Sequence, residues 1–65
     1  MISSNDVKKN ICLMNIALLK NEIDHNPGLV YDLLVGARTM ANNGNYAAAD
    51  GIYKLAKECA YSHCS

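Results

Sequence analysis

The sequence carries no excess of charge. Six Lys and Arg offset six Asp and Glu, for a formal net charge of zero over 65 residues. A module held on nucleic acid by phosphate contacts needs a basic surplus, so that class is disfavoured. Long apolar runs are also lacking. The stretch from Ile16 to Leu19 is one helical turn, far short of the ~18 residues of a membrane span. The opening residues, MISSNDVKKN, hold no apolar segment of the secretory kind, and a cytoplasmic location is the expectation. Period-2 alternation is absent, so no strand is predicted. Trp and Phe are absent, and the only aromatic residues are four Tyr. A chain of this length holds one domain, residues 1–65, and no deep cleft between two lobes. It buries only about 60% of its unfolded surface, which makes stability marginal.

Reactive constellations are scarce too. Cys12, Cys59 and Cys64 are odd in number and include no CxxC pair, which argues against a disulfide framework. Cys59 and His63 are spaced i, i+4 and could share a helix face with Cys64 nearby. Zinc accepts such ligands, but the spacing lacks the paired pattern of a structural site, so no metal is expected. Neither His25 nor His63 has an identifiable orienting group. The acids Asp6, Glu22, Asp24, Asp32, Asp50 and Glu58 form no motif. No catalytic residue, cofactor or small-molecule substrate is therefore expected, and the chain reads as a non-enzyme.

What is present is helical periodicity, with 51% apolar residues. Two breaks divide it. His25-Asn26-Pro27-Gly28 is the first, because Pro27 disfavours helical geometry at Asn26 and Gly28 permits a reversal. Asn42-Asn43-Gly44-Asn45 is the second, with Gly44 suited to a left-handed C′ position and Asn45 to an N-cap. Three helices are predicted, at about residues 5–24, 29–42 and 46–61.

At about 100° per residue, the first predicted helix carries two apolar stripes. Val7, Ile11, Met14 and Leu18 form one. Cys12, Ile16, Leu19 and Ile23 form the other, and Lys8, Asn15 and Glu22 make a polar lane between them. On the second predicted helix, Leu29, Leu33, Gly36, Ala37 and Met40 line one face, widened by Val30, Leu34 and Ala41. Gly36 costs about 1 kcal/mol relative to Ala inside a helix, which suggests a neighbouring helix passing close by. The third predicted helix faces inward with Tyr46, Ala49, Ile52, Tyr53, Ala56 and Ala60. Its alanines admit a close neighbour, and Asp50 and Lys54 make a favourable i, i+4 pair.

Residues 30–61 resemble a tetratricopeptide repeat, on Leu33, Ala37 and Met40 in one helix, Gly44-Asn45-Tyr46 at the turn, and Ala49, Tyr53 and Ala56 in the next. The sequence departs from the pattern at Gly36, where the family usually has Leu, and at Met40, where it has an aromatic residue. It also lacks a helix-ending Pro near position 61. The resemblance implies an antiparallel helical hairpin that cannot bury its apolar face alone. The expected fold is all-α, a small three-helix bundle in which the first helix packs on this repeat-like hairpin.

One stripe of the first helix suffices for that packing. The other is left as a candidate surface for a protein partner or homodimer, formed by Cys12, Ile16, Leu19 and Ile23 with Tyr31 and Val35 of the second helix. In the competing arrangement, the second and third helices straddle the first and cover both stripes. The expected function is a non-enzymatic protein-interaction module. At the level of class, small Asn-rich chains suggest an accessory protein of a phage or mobile element that inhibits a host complex. The alternative is a small helical DNA-binding regulator. Against it, the helix after the second turn opens Tyr46-Ala47-Ala48-Ala49-Asp50, without base-reading side chains.

Overall fold

The computed structural model describes residues 3–23 and 25–61, which form three helices of 16 residues each. They are α1 (Ser4–Leu19), α2 (Pro27–Asn42) and α3 (Tyr46–Tyr61), with no strand among the described residues. The protein is an all-α three-helix bundle.

Each helix boundary has a local cause. The Ser3 hydroxyl caps α1 by accepting from the Asp6 N–H at 3.5 Å, with the Asp6 carboxylate in the first turn, where the helix dipole favours negative charge. The end of α1 falls five residues short of the expected 24. Asn21 takes a left-handed conformation, φ 60°. Its N–H donates to the Leu18 carbonyl at 3.1 Å, and the Glu22 N–H reaches the Ala17 carbonyl at 2.9 Å. This is a Schellman closure with Asn in the position usually held by Gly.

The start of α2 also differs from expectation. Pro27 occupies its first turn, where its missing N–H costs no hydrogen bond and its fixed φ suits the helix. The reversal falls on Asn26, at φ 51° and ψ 49°, and Gly28 lies inside the helix without a positive φ. The turn from α2 to α3 follows the sequence reading. Gly44 sits at φ 82° and donates to the Ala41 carbonyl at 3.0 Å, and the Asn45 N–H reaches the Met40 carbonyl at 2.9 Å. The Asn45 side chain then caps α3, its Oδ1 accepting from the Ala48 N–H at 3.3 Å.

This three-residue turn makes α2 and α3 an antiparallel hairpin, the most closely packed pair of the bundle. Ala37 of α2 and Ala49, Ala56 and Ala60 of α3 are completely buried, so the two backbones approach with little side-chain bulk between them. Helix α1 lies across the hairpin and contributes Val7, Ile11 and Met14 to the core. Thus the first apolar stripe of α1 is the packed one, with Leu18 half-buried at its end.

The buried face of α2 is rotated from expectation. Val30, Leu34, Ala37 and Ala41 form it, whereas Leu33, Gly36 and Met40 are half-buried and Leu29 is 50% exposed. The hairpin alone would turn Leu33 and Met40 inward, but covering by α1 as well draws the centre of the face towards Leu34. Gly36 has no tight neighbour either: a Cβ built there meets no atom within 4 Å.

Candidate interaction surface

The second stripe of α1 is left uncovered. Cys12 is exposed, Ile16 is 41% exposed and Leu19 is 87% exposed. On α2, Tyr31 and Val35 are 57% and 46% exposed. Tyr31 lines the groove between α1 and α2, whereas Val35, one turn on, does not and is exposed on the outward side of α2. Ile23 does not join this surface. It lies beyond the end of α1, in the connector, and is buried against the core. The Schellman closure at Asn21 redirects the chain there, so the helical spacing that linked Ile23 to Leu19 no longer applies.

Between α1 and α2 runs a groove of about 480 Å³. Ile11, Leu18 and Ala41 lie at its base, and Ile16, Leu19 and Tyr31 at its sides. Lys8, Asn15, Arg38 and Asn42 supply its polar atoms. The polar lane expected on the first helix therefore survives in part: Lys8 and Asn15 edge the groove, whereas Glu22 sits past the helix end. The Asn15 amide folds back onto its own helix, its Nδ2 donating to the Ile11 carbonyl at 3.2 Å. Lys8 Nζ stands 5.8 Å from the centroid of the Tyr46 ring, a cation–π contact joining α1 to the start of α3.

Cys12, Ile16, Leu19 and Tyr31 of the sequence candidates line the groove, whereas its polar residues Lys8, Arg38 and Asn42 were not among those candidates. Spacing carries a signal for Arg38, which lies seven residues after Tyr31 on the same flank of α2. Lys8, likewise, is one turn before Cys12.

The outward side of α3 offers only a shallow depression lined by Gly51, Leu55 and Tyr61 with Lys54, Lys57 and Glu58. Lys54 and Asp50 form the expected i, i+4 ion pair at 3.2 Å. Cys59 is half-buried on α3, away from the exposed Cys12. His63 and Cys64, the other members of the candidate zinc set, lie outside the described residues. Among the described residues, no three His, Cys, Asp or Glu side chains gather to hold a metal ion. No described helix is long and apolar enough to cross a membrane. No family model matches the sequence, and no curated protein or solved structure matches it either.

Proposed function

We propose that this chain is a non-enzymatic protein-interaction module and that the groove between α1 and α2 is its contact surface. The observation that carries this reading is the uncovered stripe: Ile16, Leu19 and Tyr31 stand exposed together along one groove. Contiguous apolar surface of this kind marks interaction sites in small soluble domains. The partner is another protein, or a second copy in a homodimer. The cellular role we favour is that of an accessory protein, of phage or mobile-element type, which inhibits a host complex by occupying one of its surfaces.

Leu19→Glu tests the reading. At 87% exposure, Leu19 contributes little to the core, so the variant should keep its helicity and melt within about 0.5 kcal/mol of the parent. It should lose both affinity capture of partner proteins, read by mass spectrometry, and any self-association, read by light scattering. Unfolding of the variant would show that the stripe is core. A salt-sensitive shift of duplex DNA by the parent chain would favour the small DNA-binding regulator instead.

A further inference from the structure

The groove has a chemical bias that the overall charge balance hides. Among the described residues lining it are two cations, Lys8 and Arg38, and no carboxylate. None of the described acids lines it: Asp50 is paired with Lys54 on α3, Asp6 lies in the first turn of α1, Glu58 edges the depression on α3, Glu22 is in the connector past α1, and Asp32 is exposed on α2. Arg38 makes no ion pair or hydrogen bond among the described residues. Both cations sit at one end of the groove. Lys8 lies against Tyr46, four residues past Asn42, and Arg38 is one turn before Asn42. The other end, at Leu19 and Tyr31, is apolar.

We infer that this groove docks an acidic amphipathic helix of another protein, and this inference rests on the interaction reading above. Its walls are two helices whose backbone groups are used internally, so an extended peptide finds no free sheet edge to pair with. An apolar trough between two helices instead fits a third helix, whose residues at i, i+3, i+4 and i+7 face one side. From Lys8 to Leu19 the groove runs about 16 Å, the length of roughly three helical turns. Acidic residues at one end of the incoming helix meet Lys8 and Arg38, while its apolar stripe covers Ile16, Leu19 and Tyr31. A second copy offering the same face would bring two more cations and no described lining carboxylate, a poorer electrostatic match.

The test uses the full chain and two synthetic peptides of about four turns with identical Leu stripes. One carries Glu on its remaining positions and the other Lys. Binding is read by fluorescence anisotropy, and alkylation of Cys12, mapped by mass spectrometry, reports cover of the groove. The acidic peptide should bind about tenfold more tightly than the basic one, weaken as salt rises, and protect Cys12. Arg38→Glu, a surface change outside the core, should abolish that preference. Equal binding of both peptides with Cys12 protected would overturn the acidic occupant while leaving the groove as a docking surface. Failure of both peptides, with Cys12 protection that rises with protein concentration and a dimeric mass, would overturn it in favour of a second copy. Failure of both peptides with Cys12 open in a monomer would overturn the inference and count against the interaction reading itself.

Discussion

Two residues set backbone geometry in ways that can be measured directly. Gly36 sits mid-helix in α2 with no atom within 4 Å of the place its Cβ would occupy, so it has the entropic cost of glycine without a close approach that requires it. Gly36→Ala should therefore stabilise the protein by about 0.5–1 kcal/mol, a rise in Tm of about 2–8 °C in a domain of this size. A lower melting temperature would mean that a side chain at this point does clash. Asn21 is the opposite case, a non-glycine residue held at φ 60° to close α1. Asn21→Gly should be neutral or mildly stabilising, and Asn21→Ala should cost about 1 kcal/mol in urea melts, because Cβ disfavours the left-handed region and Ala enters it less readily than Asn.

At the scale of elements, the bundle is a tight hairpin with a third helix laid on it. The hairpin is close because its seam is made of alanine, and Ala49 is completely buried there. Ala49→Leu should overpack this seam and cost about 1–3 kcal/mol, seen as a lower midpoint in thermal or chemical unfolding. A neutral result would mean that α2 and α3 can part without loss. The ion pair between Asp50 and Lys54 adds little, about 0.3–0.5 kcal/mol, since the Lys54 side chain is 72% exposed. Helix pairing is thus governed by the fit of small apolar side chains, with exposed charge a minor term.

For the whole molecule, the core is small. Its largest fully buried side chains are Leu34, Val7 and Val30, and no aromatic ring is among them. The bundle is small, with principal-axis extents of 32 × 23 × 17 Å. A single core in a domain of this size supplies no more than about 3–5 kcal/mol. Leu34→Ala, which removes a buried side chain worth about 2–5 kcal/mol, should therefore abolish the cooperative transition in circular dichroism melts at physiological temperature. Retention of a sharp transition would show that the core has more reserve than its dimensions imply. A partner seated in the α1–α2 groove would stabilise the folded chain by mass action, which ties the small size of the core to the exposed stripe beside it.

Much of this architecture was readable from spacing within a few residues. The number of helices, the Gly44 and Asn45 turn, the alanine face of α3 and the pairing of Asp50 with Lys54 all depend on neighbours one turn away, and local patterns encode such contacts directly. Other features depend on what covers what. Either stripe of α1 has helical spacing, and its packing on the hairpin decided that Val7, Ile11 and Met14 are buried while Ile16 and Leu19 remain outside. The rotation of α2 towards Leu34, the burial of Ile23 and the gathering of Lys8 with Arg38 have the same origin. Each requires residues far apart in the chain to compete for one limited core, and that competition is resolved only when all three helices are in place.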